Sequence, residues 1–477
     1  MPQMKKSHTK QLLTLVTVFC ILLLFSSEIT HAKIELPSIF GSNMVLQQKA
    51  KVRIWGNATG KNSVTIITSW DNKTYKAKVK DGNWQVNIKT PTAGGPYSII
   101  LNDGDELKLE NILIGEVWLC SGQSNMAMPV KGNPNQPVLG SKEILQNANQ
   151  PKIRLFKVTD GISDKPLNDS RGQWNEASAE TVADFSAVGY LYAKILHEKL
   201  NVPVGIIQSA SGSTMIESWM SKESLRPFPD ITMIDELNPT RSDKKQPSVV
   251  FNAMINQIVG FNIKGVIWYQ GEQNSAQPKM YEKLLPAMVK DWRKLWDIGE
   301  CPFYYVQIAP YKYSLAGDSV PYLREAQQNA GKKIPRSGMV VSIDVGSSAT
   351  VHPPDKPTIS KRLANWALAN DYGFKEVAYL NPEYKSLEIK DNTILLGFKN
   401  AEEGLTSYDK ELLHFEIAGA DKVFYPAHAK ITPQGITVTS DRVVKPVAVR
   451  YAFKDLVFGN LYSKEGLPVA PFRTDNW

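Results

Sequence analysis

Three short polar clusters carry the residue types that acyl transfer needs. The first is Cys120-Ser121-Gly122-Gln123-Ser124-Asn125-Met126, which follows the apolar run Ile114–Leu119. Ser124 therefore falls in a Gly-preceded turn that would expose its hydroxyl and aim backbone N–H groups at an anion. A Ser that merely caps a helix would look the same, so Ser124 needs a partner before it reads as a nucleophile. The second cluster, Ser209-Ala210-Ser211-Gly212-Ser213-Thr214, follows the run Pro203–Gln208. Gly212 allows the close backbone approach that an oxyanion-hole donor requires. The third, Gln270-Gly271-Glu272-Gln273-Asn274, follows Lys264–Tyr269 and crowds amide and carboxyl side chains at one exit.

The chain has six His, and His8 and His31 lie in its first 32 residues, which leaves His197, His352, His414 and His428. His197 falls in a helical stretch, and His414 and His428 in a C-terminal β-rich region. His352 follows the run Met339–Asp344 and is the only one of the four in a strand-exit loop of the middle region. Opposite Ser124, it is a credible general base. There is no Cys-x-x-Cys and no Gly-rich loop followed by Lys-Ser or Lys-Thr, so neither a metal nor any other cofactor is expected.

These clusters need a scaffold that gathers strand exits. Between residues 111 and 375, short apolar strands alternate with helical stretches over Ser186–Leu200, Val249–Phe261, Pro278–Trp296, Val320–Ala330 and Pro357–Asn370. Such alternation predicts a parallel sheet with helices on both faces, where ligands bind beyond the carboxyl ends of the strands. Residues 33–110 read instead as a small β-sandwich, with strands near Lys51–Trp55, Ser63–Thr68, Thr74–Val79 and Trp84–Ile88. Residues 376–477 return to β, with a hairpin of Leu387–Lys390 and Thr393–Lys399 and further strands at Ile431–Ser440 and Lys445–Phe453.

The N-terminus has a separate logic. Lys5, Lys6 and Lys10 precede an apolar run from Leu12 to Phe25, and Ser26, Ser27 and Ala32 follow. This is the pattern of a secretory signal peptide over residues 1–32, cleaved near Ala32; the run is short for a membrane span. A secreted or periplasmic location follows, with no stable membrane span after signal removal. The 477 residues carry a formal charge of +8, which falls to +6 without the segment. With no basic block or aromatic-interleaved stripe, nucleic acid is not an expected partner. A hydrophobic fraction of 42% and a charged fraction of 21% exclude wholesale disorder. Cys120 and Cys301 could pair in an exported protein or remain two buried thiols.

The motifs also resemble a known family. Gly115-Glu116-Val117-Trp118-Leu119-Cys120-Ser121-Gly122-Gln123-Ser124-Asn125-Met126 is similar to the first block of the sialate O-acetylesterase family, within the SGNH hydrolases. The similarity continues through Ile267–Asn274, Leu323–Gln327, Phe415–Asp421 and the tail Gly466–Asp475. The resemblance implies a flavodoxin-like three-layer α/β domain with accessory β regions, and hydrolysis of O-acetyl esters on a sugar. It implies Ser124 as nucleophile and His352 as base. Gly212 would be an oxyanion donor beside the Ser124 N–H, with Gln270 and Asn274 adding to that hole. Departures concern the third catalytic member and the pocket wall. Positions three and two before the His, where an Asp is expected, hold Ala349 and Thr350, and the usual Trp-Gly-Gly-Thr block reads Ser211-Gly212-Ser213-Thr214.

The expected protein is therefore a carbohydrate esterase whose substrate is an acetylated sugar, foremost O-acetylated sialic acid. Glu272 is the first candidate to orient His352 and Asp344 the second, and a Ser–His dyad stays open. Two rival readings are an esterase for acetylated polysaccharide such as xylan, and a non-catalytic glycan-binding protein on the same scaffold.

Overall fold

The computed structural model describes residues 33–477 except 60–61, 170, 235, 238–242 and 314–318; the expected signal peptide lies outside the described residues. Seven strands build the central sheet: β1 (Glu106–Gly122), β2 (Gln150–Lys157), β3 (Trp174–Ala177), β4 (Val204–Ala210), β5 (Gly265–Tyr269), β6 (Phe303–Val306) and β7 (Ser337–Val340). Their order is β3-β2-β4-β1-β5-β6-β7, and only β3 runs antiparallel to its neighbour. The five strands β4-β1-β5-β6-β7 give the 2-1-3-4-5 order of a flavodoxin-like sheet. Four of them fall on apolar runs of the sequence, β7 overlaps the fifth run, Met339–Asp344, only at Met339 and Val340, and β2 and β3, which were not expected, extend the β4 edge.

Alternation along β1 explains the three layers. Val117 and Leu119 face one core with α2 (Pro278–Trp296) and α3 (Val320–Gly331), while Trp118 and Cys120 face another with α1 (Ala187–Leu200) and α4 (Lys356–Asp371). The long amphipathic helix α2 covers its face with Tyr281, Leu284, Leu285, Met288 and Trp292, all buried. Cys120 and Cys301 are both buried and free.

Two segments depart from the sequence reading. Val249–Phe261, expected as one helix, winds as a π turn at Phe251–Ile255 followed by a 3₁₀ turn at Asn256–Ile258. Its polar Asn252 and Gln257 are buried along with its apolar residues, so no solvent-facing side sets a regular helical register. Ile431–Ser440, expected as one strand, splits into His428–Thr432 and Gly435–Thr439, which pair as a hairpin around Pro433-Gln434.

The N-terminal β region packs two sheets face to face, with Val52, Ile54 and Ile88 on one side and Val64, Ile66 and Leu101 on the other. Strand β1 runs unbroken from this sandwich, where it pairs with Gly94–Asn102, into the central sheet. The C-terminal region packs two four-stranded sheets around Leu396, Ile436, Ile417 and Val449, joined by Val341 and Ile343 just beyond β7. Buried Arg324 on α3 donates to the carbonyls of Lys454 and Asp455 and so ties this region to the catalytic-side layers.

Candidate active site

Ser124 opens a four-residue helical turn, Ser124–Ala127, directly after β1. The reversal depends on Gly122, whose φ is +132° and where a Cβ would stand 2.2 Å from the Tyr269 carbonyl oxygen. Gln123 N–H donates to that same carbonyl at 2.9 Å, which pins the turn to the end of β5. Gly212 follows the neighbouring strand β4, and a Cβ built there would sit 3.5 Å from Ser124 Cβ. The first two clusters of the sequence therefore meet as adjacent strand exits.

The third cluster packs beneath them. The Gln270 amide nitrogen donates to the Thr214 carbonyl at 3.1 Å and to Asn274 Oδ1 at 2.9 Å. Both of its N–H bonds are thus committed to bracing the loops, and neither is left for an oxyanion. Asn274 accepts from Ile216 N–H and donates one of its two amide N–H bonds to Glu217 Oε2 at 2.9 Å. Burial raises the Glu217 carboxyl above its ordinary range, against the hydrogen bond from Asn274.

Glu272 does not meet the imidazole. Its Oε1 accepts from Asn125 Nδ2 at 2.6 Å, and the same nitrogen donates to the Val351 carbonyl at 3.0 Å, one residue before His352. Lys356 Nζ, buried at the start of α4, donates to Asn125 Oδ1 at 2.6 Å and stands 5.5 Å over the Tyr269 ring. Asn125 thus joins the nucleophile turn, the Glu272 loop and the His352 loop. Burial raises Glu272, opposed in part by Asn125 and Lys356. Burial also lowers Lys356 to about 7, against the attraction of Glu272 and Asp355.

Asp344 is engaged elsewhere. It forms a bidentate pair with Arg362 of α4 at 2.8 and 2.7 Å, with both side chains 10% exposed. This pair clamps the start of the His352 loop to α4.

His352 Nδ1 instead lies 2.8 Å from Gln136 Oε1, and its Nε2 is buried with no hydrogen-bond partner among the described residues. Burial and the charge of Lys356 lower the ring to about 4, so it is neutral at ordinary pH, as a base must be. His197 Nδ1 faces the Val202 carbonyl at 2.7 Å at the end of α1, far from this chemistry in role.

Sequence reasoning quoted Asn125 without giving it a task, and it missed Lys356, Arg362 and Gln136. Asn125 had a signal, being next to Ser124. Lys356 had a weak one, four residues after His352, but Asp-Lys at a helix start reads as solvated surface. Gln136 lies in a turn-rich stretch, Gly132-Asn133-Pro134-Asn135-Gln136, that carries none. Among the described residues no group of three or more His, Cys, Asp or Glu could hold a metal ion.

The flavodoxin-like sheet places Ser124 and Gly212 at adjoining exits and His352 in the loop beyond its last strand, which defines an α/β protein with its polar clusters at the carboxyl ends of the strands. The model of the family described as carbohydrate esterase, sialic acid-specific acetylesterase, matches residues 114–368, and the chain belongs to that family. It is similar to sialate O-acetylesterase of Homo sapiens, at 29% identity over 87% of each chain. It is likewise similar to sialate O-acetylesterase of Mus musculus, at 28% identity over 83% of each. A crystal structure of a carbohydrate acetylesterase from Xanthomonas citri superposes with a TM-score of 0.84 at 33% identity, covering 93% of this chain and all of that one.

Proposed function

We propose that this protein removes O-acetyl groups from a sugar, foremost O-acetylated sialic acid, through an acetyl-enzyme on Ser124. The observation that carries the reading is Gly212 set against Ser124 at two adjoining strand exits, in a chain of the carbohydrate esterase family. His352 Nε2 takes the Ser124 proton while Oγ attacks the acetyl carbonyl carbon. The N–H groups of Ser124 and Gly212 receive the oxyanion, with the uncommitted N–H of Asn274 as a further donor. The tetrahedral intermediate then collapses, and the sugar oxygen leaves with the proton from the imidazolium. Water, giving its proton to His352, attacks the acetyl-enzyme, and acetate departs from Ser124. The neutral ring supports the first step, because an imidazolium could not accept that proton.

Export to a secreted or periplasmic site is part of the proposal and rests on the Lys-flanked apolar run of the first 32 residues. No helix among the described residues is long and apolar enough to cross a membrane.

The test is Ser124→Ala. It should lower kcat on an aryl acetate by about three orders of magnitude or more and abolish labelling by a fluorophosphonate. A folded Ser124→Ala protein with near-normal turnover would refute the assignment. Acetate release from O-acetylated sialic acid should exceed release from acetylxylan; the opposite ranking moves the substrate to a plant polysaccharide, and no reaction with either ester or probe leaves a binding protein.

A further inference from the structure

None of the carboxylates Asp344, Glu272 and Asp355 is hydrogen-bonded to His352. Asp344 is held by Arg362; Glu272 Oε1 accepts from Asn125, and its Oε2 is buried with no hydrogen-bond partner among the described residues. Asp355 caps α4, with Oδ1 receiving Thr358 N–H at 3.0 Å and Oδ2 receiving Thr358 Oγ1 at 2.8 Å. An imidazole that takes a proton at Nε2 still needs an acceptor for the hydrogen on Nδ1, or half of its tautomers are useless. The atom in that place is the side-chain oxygen of Gln136, 2.8 Å from Nδ1.

Gln136 is held there by construction. Residues Asn133 and Gln136 close a tight hairpin with reciprocal backbone bonds of 3.0 and 2.9 Å. Asn135 takes the left-handed conformation, and so does Gly132, where a Cβ would stand 2.7 Å from the Gln136 carbonyl oxygen. Asn133 Nδ2 lies 3.5 Å from Gln136 Oε1, which keeps donors around that oxygen. On one side the hairpin is anchored by Val130 and Lys131 N–H to the carbonyls of Phe185 and Ala183. On the other, Leu139 N–H donates to the Pro354 carbonyl at 2.9 Å, two residues past His352, which ties the hairpin to the His352 loop.

We infer that Gln136 is the positioning residue of His352, a neutral amide standing where a catalytic carboxylate is expected. This rests on the Ser124–His352 reading above. An amide oxygen selects the Nδ1–H tautomer and frees Nε2, but it adds no negative charge to steady the imidazolium. The charge that bears on the ring is that of Lys356, which lowers it; Glu272 and Asp355 act on that lysine. The site therefore has tautomer control without charge compensation.

The experiment compares Gln136→Leu, Gln136→Glu and Ser124→Ala in the full chain, with kcat, KM and the pH profile of kcat/KM measured for each. Gln136→Leu removes the acceptor. It should lower kcat by more than about tenfold with KM little changed, short of the roughly 10⁴-fold loss that tautomer error caused in a Ser protease. Gln136→Glu places a carboxylate against Nδ1, so the acid limb should move up by about one pH unit or more. A bracing residue for the hairpin would move melting temperature but not this limb. Normal kcat in Gln136→Leu, or an unmoved limb in Gln136→Glu, overturns the inference. If the Leu variant does not fold, the limb of the Glu variant decides alone. If Ser124→Ala keeps its activity, the Ser–His reading itself fails; if Ser124→Ala is dead and both Gln136 variants behave as wild type, only the Gln136 assignment fails.

Discussion

The acid limb of the pH profile is the most direct check on the site, because its position follows from burial and one nearby charge. Burial and Lys356 lower His352 from 6.5 to about 4. At pH 5 a ring at about 4 is about nine-tenths neutral, whereas an unshifted His would be only about 3% neutral, roughly a thirty-fold difference in usable base. The profile of kcat/KM reports the free enzyme, so its acid midpoint should lie well below 6. The perturbation is Lys356→Met. It removes the second cause and leaves the first, so the midpoint should rise yet stay below 6.5. Acetate release from an aryl ester between about pH 3.5 and pH 8, with fluorophosphonate inactivation followed in parallel, measures the limb twice; both reactions need neutral His352. A wild-type midpoint near 6.5, or a midpoint that falls when the lysine charge is removed, would refute the reasoning.

Four further outcomes are expected. Glu272→Gln should lower kcat by more than about tenfold, because it loosens the Asn125 link between the Ser124 turn and the His352 loop. Asp344→Asn should slow the enzyme less and lower its melting temperature more, since breaking a buried Arg pair costs about 3–5 kcal/mol. Kinetics and thermal melts on both variants decide this, and a slower, equally stable Asp344→Asn enzyme reverses the assignment. Gly212→Val should lower kcat by about 10²–10³ through crowding of Ser124 and displacement of the donor N–H; unchanged kcat with a lower melting temperature reduces Gly212 to a turn residue. Activity should also survive exhaustive dialysis against a chelator, and its loss with rescue by one divalent ion would overturn the Ser–His mechanism.

The scaffold was legible because its signals are local. Each of the five core strands is an apolar run bounded by turn residues, and α2 announces itself by a one-sided stripe starting at Pro278. Where the local signal was ambiguous, the reading failed. Val249–Phe261 buries polar Asn252 and Gln257 as well as its apolar residues, and Pro433 breaks a β-rich run that composition alone left whole. Ser124, Gly212 and the Gln270–Asn274 loop could be named as candidates because parallel strands bring their carboxyl ends together whatever the loops contain.

The chain order alone located five of the seven sheet strands, their exits and the residue types placed there. Which side chains meet at those exits depends on the folded packing. Gln136 and His352 are 216 positions apart and touch because a hairpin docks on a loop, a contact with no periodic or compositional trace. The partners of Glu272 and Asp344 have the same origin: Asn125 and Arg362 reach them from other segments. Lys356 reads in sequence as an ordinary helix-start lysine, yet it is buried and its charge bears on His352. Desolvation and pairing depend on the atoms that close around a group in three dimensions, and these come from segments that the chain order keeps far apart.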